Sequence, residues 1–137
     1  MAVGRPVGER TGSGIPGQTG RMRVLGVHHV ALNVTDVEES VAFYTQELGL
    51  TRREDRPDLG IDGAWLDAGD QQLHFVQAPV AQNLGQHFAL LVDDLDATVT
   101  ELREHGVEVS DPGEVGTSRQ AFLLDPSGNP VELHQRG

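Results

Sequence analysis

The chain has 137 residues, of which 37% are apolar, and this length and composition suit one compact domain with a sizeable core. It contains no cysteine, which excludes disulfides, thiolate metal ligands and cysteine nucleophiles. Its formal net charge is −11 at pH 7, and every basic residue is an arginine, so lysine Schiff-base chemistry is excluded as well. Because an acidic chain repels phosphate groups and anionic lipids, we expect no nucleic-acid or membrane partner and favour a small-molecule ligand.

Residues 1–23 are rich in Gly, Pro and Arg and lack the apolar run of a signal peptide or membrane helix. We interpret this segment as a flexible N-terminal tail, residues 24–137 as a single domain, and the protein as cytoplasmic. The tail holds four of the ten basic residues and one of the 21 acidic residues. The domain therefore has 6 basic and 20 acidic residues, a net charge of −14.

The domain resembles itself when it is shifted by 58 positions without a gap. Six residues then fall on identical ones: His29, Ala31, Leu32, Val34, Asp36 and Val41 on His87, Ala89, Leu90, Val92, Asp94 and Val99. The same shift carries Leu66-Asp67 onto Leu124-Asp125. We infer two equivalent modules, residues 24–80 and 86–136.

Each module begins with a strand that alternates aliphatic and other residues, and a helix follows. In module one, the spacing of Asp36 and Glu39 is typical of a helix start, and Gly49 supplies the stop, which predicts a helix over about 37–48. In module two, Asp94 and Gly106 hold the equivalent places. The segments 61–67, 71–77, 119–124 and 130–135 alternate in the manner of strands. The sequence therefore predicts an α+β fold of two tandem βαβββ modules.

Four possible metal ligands occupy equivalent positions in the two modules. His29 and His87 lie in the first strands, and His74 and Glu132 lie in the last strands, 45 residues further along in each case. Imidazole and carboxylate groups are suitable ligands for a divalent ion. The repeat symmetry predicts that these four donors converge on one metal.

Three motifs follow one another along the domain: HHVALNVTDVEESVAFYTQELGL, QHFALLVDDLD and FLLDPSGNPVELHQ. In this order they resemble the vicinal oxygen chelate superfamily, which includes glyoxalases, bleomycin resistance proteins and extradiol dioxygenases. The resemblance implies two modules that form an open, barrel-like curved sheet around one divalent ion, which substrate oxygens chelate. Carried over by position, the metal ligands are His29, His74, His87 and Glu132. The resemblance does not identify the metal, which can be Fe, Zn, Ni, Mn or Co.

The resemblance implies a metal-dependent enzyme, and we favour a lyase or isomerase in which Glu132 and His74 are the catalytic residues. Glyoxalase I enzymes carry a second carboxylate where this chain has His74, which argues against that particular activity. Two histidines and one carboxylate also suit an Fe(II)-dependent extradiol-type dioxygenase. A third alternative is a metal-free resistance protein that binds a bleomycin-like cationic antibiotic.

Five residues are substrate-binding candidates: Asn33, Arg53, Trp65, Arg119 and His134. Asn33 follows His29 on the same strand face, and His134 follows Glu132 in the same way. The other three come from central strands and suit an aromatic or anionic substrate. The resemblance further implies a homodimer, and it leaves open whether the metal site is built from one chain or from two.

Overall fold

In the computed structural model, which describes residues 22–137, each half of the chain folds as a strand, a helix and three more strands. Module one consists of β1 (His29–Val34), α1 (Val37–Gln46), β2 (Thr51–Arg52), β3 (Gly63–Ala68) and β4 (Gln71–Gln77). Module two consists of β5 (Phe88–Leu91), α2 (Leu95–Glu104), β6 (Gly113–Val115), β7 (Ser118–Leu124) and β8 (Pro130–Gln135). The predicted α+β class is thereby confirmed. The predicted flexible tail, apart from residues 22 and 23, lies outside the described residues.

The strands form two four-stranded sheets, in the orders β1-β4-β3-β2 and β5-β8-β7-β6. The first and last strands of each module are parallel, and the pairing register repeats across the modules, since Ala31 pairs with His74 and Ala89 with Glu132. The prediction of one barrel-like sheet needs correction. In the part of the chain that the structure describes, β1 and β5 are each an edge strand, so each module completes its ladder within its own sheet.

Both helices begin where their sequences predict, and the predicted glycine follows each of them. The Asp36 carboxylate accepts a hydrogen bond from the Glu39 amide at 3.0 Å, and Asp94 accepts one from Ala97 at 3.0 Å. These N-caps satisfy amides that the first helical turn leaves free. After α1, Gly49 has a φ of 75°, a left-handed conformation that favours glycine. The helix itself ends at Gln46, two residues before the predicted end.

The helices and one face of each sheet enclose the hydrophobic core. Leu66, Leu73 and Phe75 are buried in sheet one, and Leu123 and Leu133 are buried in sheet two. Alternate residues therefore point away from the helices, onto what we call the open face of each sheet. No helix within residues 22–137 is long and apolar enough to cross a membrane.

The turn between β7 and β8 joins the two modules. Asp125, which is 4% exposed, accepts a hydrogen bond at 2.8 Å from the hydroxyl of Tyr44, which lies on α1 and is fully buried. The Ser127 hydroxyl accepts a hydrogen bond from the backbone amide of Thr35 at 2.9 Å. The side-chain amide of Asn129 donates to the backbone carbonyl of Asn33 at 3.0 Å. We call these contacts the intermodule joint. They show that the Asp-Pro-Ser-Gly-Asn motif fixes the relative position of the modules and also forms a turn.

Candidate functional site

Glu132 lies at the centre of a hydrogen-bonded cluster on the open face of module two. Glu132 is 8% exposed, and each of its two carboxylate oxygens accepts a hydrogen bond. His87 donates from Nε2 to Oε1 at 2.9 Å, and His134 donates from Nδ1 to Oε2 at 2.7 Å. Because a buried carboxylate is stable only when it is hydrogen-bonded, these two imidazoles hold Glu132 in a defined orientation.

The orientation of His87 is set from its other ring nitrogen. Nδ1 lies 2.8 Å from the Gly85 carbonyl, which can only accept, so Nδ1 carries a proton and Nε2 points at Glu132. The hydrogen bond to Gly85 raises the pKa of His87, and the bond to Glu132 raises it further. Because Nε2 also donates to Glu132, both ring nitrogens carry protons in this arrangement. A carbonyl partner on Nδ1 is the arrangement by which proteins present Nε2 to a metal ion once Nε2 has lost its proton.

On the open face of module one, three aromatic rings stack across three neighbouring strands. The Trp65 and His74 rings lie 4.5 Å apart between centroids with planes 12° apart, and the His74 and His29 rings lie 4.0 Å apart at 13°. His74 Nε2 is 2.8 Å from Gln72 Oε1. Burial lowers the pKa of His74, and the charges of His29, His28 and two arginines lower it further, which favours the neutral ring that a ligand requires.

The four predicted ligands therefore form two pairs, His29 with His74 and His87 with Glu132. Within residues 22–137, no group of three or more His, Asp or Glu side chains is arranged to hold a metal ion. The stack explains part of this result: ring lone pairs lie in the ring planes, so two nearly parallel imidazoles cannot direct them at one point. Imidazole and carboxylate donors fit a divalent ion, but the four side chains of one chain are not arranged around a common point that an ion could occupy.

The substrate-binding candidates fall in different surroundings. Trp65 and His134 lie on the open faces, each in contact with a predicted ligand. Arg53 is held by two carboxylates, Asp55 at 2.7 Å and Asp67 at 2.8 Å.

The other two candidates are hydrogen-bonded within the protein, one to a helix side chain and one to a backbone carbonyl. Arg119 forms a bidentate pair with Asp96 of α2 at 2.9 Å, on the helix side of its sheet. Asn33 donates from its side chain to the Pro79 carbonyl at 3.0 Å.

Two residues near the site were not singled out from the sequence. Phe122 packs its ring edge-on against His87, with centroids 5.2 Å apart and planes at 84°. Strand alternation could have identified Phe122, because it lies two residues after Gln120 and therefore on the same face of β7. Arg56 is half-buried and donates to the Ile61 carbonyl at 2.9 Å, and its positive charge contributes to lowering the pKa of His74. It lies in an irregular loop, where periodicity carries no information.

Comparison with known proteins is consistent with this architecture. The family model of the Glyoxalase/Bleomycin resistance protein/Dioxygenase superfamily matches residues 26–133. The chain belongs to this superfamily. The resemblance drawn from its three motifs is thereby confirmed.

Individual relatives have several different names. "Probable lactoylglutathione lyase, chloroplastic" of Arabidopsis thaliana is 36% identical over 124 residues, covering 80% of this chain and 35% of that protein. The chain thus spans about a third of that relative's length. Among solved structures, a glyoxalase family protein from Bacillus anthracis has a TM-score of 0.76 at 26% identity, covering 85% of this chain and 99% of that one. TnmS3, an antibiotic binding protein from Streptomyces sp. CB03234, has a TM-score of 0.72 at 28% identity, covering 85% and 100%.

Proposed function

We propose that the protein is a metal-dependent lyase or isomerase that acts on a small molecule chelating the metal through oxygen. The observation that carries this proposal is Glu132, a buried carboxylate held on both oxygens by His87 and His134. The proposed ligands are His29, His74, His87 and Glu132, and the ion is divalent. A cytoplasmic location and a homodimer are parts of the same proposal.

When bound, a divalent ion of this kind supplies Lewis acidity that polarises a substrate carbonyl and acidifies the neighbouring C–H. Glu132 is then the group that takes the proton. The reaction is an isomerisation: in an adduct of an α-ketoaldehyde and a thiol, the proton leaves the carbon that carries sulfur and hydroxyl. A proton is returned to the neighbouring carbon, which gives an α-hydroxy thioester without any co-reactant.

His134 and His74 have supporting roles in this proposal. His134 holds the second oxygen of Glu132 at 2.7 Å, so the carboxylate keeps its orientation while the first oxygen exchanges partners. His74 lies where glyoxalase I enzymes have a second carboxylate, so the return of the proton falls to Glu132 or to the neutral imidazole. This departure favours a substrate other than that of glyoxalase I, even though relatives are named lactoylglutathione lyase.

We further propose that two chains complete each site. His29 and His74 of one chain contact each other, as do His87 and Glu132 of the same chain. In a twofold dimer, the module-one pair of each chain can face the module-two pair of the other, and this produces two equivalent sites. Rotation of one stacked imidazole would let both His29 and His74 serve as ligands of an ion held there.

A second candidate function is the binding of an antibiotic without metal. The similarity to TnmS3, an antibiotic binding protein, favours it, as does the net charge of −14, which suits a cationic ligand. The enzyme proposal ranks higher because His87 and Glu132 lie side by side, with Nδ1 of His87 held by the Gly85 carbonyl and the carboxylate buried. Oxygen-dependent turnover of a catechol by Fe(II)-loaded protein would instead support the dioxygenase alternative.

Metal analysis tests the proposal directly. We expect purified protein loaded anaerobically with Ni²⁺, Mn²⁺, Zn²⁺ or Fe²⁺ to retain about one ion per chain by mass spectrometry, and His87→Ala to retain less than about a tenth of that. Trp65 is the sole tryptophan and stacks on His74, so its emission should change when the ion reorients that ring. His105→Ala is the matched control, because His105 ends α2 and pairs with Glu47 away from the site. Wild-type protein without metal but with tight binding of a bleomycin-like cation would reverse the ranking.

Mixing two inactive variants tests the two-chain site. One variant carries His29→Ala and His74→Ala, and the other carries His87→Ala and Glu132→Ala. If sites form between chains, random exchange makes half of the dimers mixed, each with one intact site, and about a quarter of wild-type activity returns. Each variant alone stays inactive. No recovery after confirmed subunit exchange would show that each site is built within one chain.

A further inference from the structure

An open cavity of about 900 Å³ lies beside His87 on module two. His87 is part of its lining, together with Phe122, whose ring meets the imidazole edge-on. The cavity therefore borders His87, one member of the module-two pair, whereas Glu132 is not part of its lining. Its volume lies within the range of pockets that hold small molecules.

The side chains around this cavity are mainly apolar. The apolar lining residues include Phe43, Val107, Val109, Phe122, Leu124 and Pro130. Leu124 is 57% exposed, an unusual exposure for a large aliphatic side chain at the end of a central strand. Such a lining stabilises an apolar group by removing it from water, and it offers few partners for a charged one.

The ionisable groups in the lining disfavour an anion. Within residues 22–137 no arginine lines the cavity, and the sequence contains no lysine. The oxygens of Asp125 are occupied by Tyr44 and by the turn that follows, so Glu108 is the exposed carboxylate of this lining. An anionic ligand here would meet Glu108 and lose hydration, and His87, the one lining residue in the described part of the chain that can carry a positive charge, is already paired with Glu132.

We propose that this cavity binds an uncharged, apolar arm, aromatic or branched aliphatic, of the substrate whose oxygens meet His87 and Glu132. This inference rests on the proposed function, and it specifies the substrate class of that site. A substrate whose arm carries carboxylates, such as a glutathione adduct, is disfavoured in this cavity by Glu108 and by the lack of an unpaired cation in its described lining.

A matched pair of fluorescent probes tests the cavity without turnover. N-phenyl-1-naphthylamine is neutral, and 1-anilinonaphthalene-8-sulfonate has the same skeleton with one negative charge. We expect metal-free protein to bind the neutral probe at least about tenfold more tightly. Leu124→Glu should weaken neutral-probe binding about tenfold or more, whereas Leu59→Glu, a control at 55% exposure in module one, should change it less than about twofold.

Glu108→Gln tests the charge argument. Glu108→Gln should reduce the difference in affinity between the neutral and the anionic probe. Glu104→Gln, on exposed helix surface, should leave this difference unchanged. Equal affinity for both probes in wild-type protein, or neutral-probe binding unaffected by Leu124→Glu, would overturn the inference.

Turnover separates this inference from the proposed function. The adduct of phenylglyoxal with 2-mercaptoethanol should have a kcat/KM on the order of 10-fold or more above that of the adduct of methylglyoxal with glutathione. If the glutathione adduct is the better substrate, the inference is wrong and the proposed function stands. If no adduct reacts and the probes behave as expected, the proposed function fails while the apolar-arm site stands.

Discussion

Glu132→Gln is expected to lower kcat by about 10²- to 10⁴-fold, which corresponds to about 3–5 kcal/mol of activation free energy. An amide cannot accept the substrate proton at neutral pH. Glutamine has nearly the same shape and can still place its carbonyl oxygen against His87 or His134, so the fold and substrate binding should change little. The measurement is steady-state kinetics at saturating metal, with bound metal counted in the same samples.

The control for Glu132→Gln is Glu114→Gln, which removes one carboxylate from the exposed strand β6 and should leave kcat unchanged. A loss of kcat in fully loaded Glu132→Gln, with KM within about threefold of wild type, is the expected pattern for a lost proton acceptor. If fully loaded Glu132→Gln retains kcat within about tenfold of wild type, another group takes the proton.

The fold was largely predictable because the repeat and the local signals agree. Asp36 and Asp94 cap helices, and Gly49 and Gly106 follow them with positive φ, as their spacing predicts. These features depend on neighbours within a few residues, so the sequence contains the necessary information. The separation into two sheets was not predictable, because it depends on whether β1 and β5 pair at their edges.

The site was predictable in its donors but not in its contacts. The 58-residue shift placed His29 against His87 and His74 against Glu132, and the pairing register agrees with it. Chain position alone could not show that His29 stacks on His74 while His87 bonds Glu132. Strand parity did contain the information for Arg119, since it shares a face with buried Ala121 and Leu123.

Asp125→Ala should lower the free energy of unfolding by about 3–5 kcal/mol, because it removes the centre of the intermodule joint. The substitution leaves the buried Tyr44 hydroxyl and the amides of Ser127 and Asn129 without their acceptor. Burial and the nearby Asp125 charge raise the pKa of Tyr44, so its hydroxyl stays protonated and needs that acceptor. Urea unfolding followed by circular dichroism measures the loss.

The repeat supplies a matched control for Asp125→Ala. Asp67 holds the equivalent position in module one, but its side chain is 41% exposed and it pairs with Arg53 at the surface. Asp67→Ala should therefore cost only a small fraction of the Asp125→Ala loss, because solvent screens an exposed pair. Tyr44→Phe should cost about 1–2 kcal/mol and should add little further loss in the Asp125→Ala background, because the two side chains share one hydrogen bond. Equal losses for Asp125→Ala and Asp67→Ala would mean that the buried Tyr44–Asp125 contact does not hold the modules together.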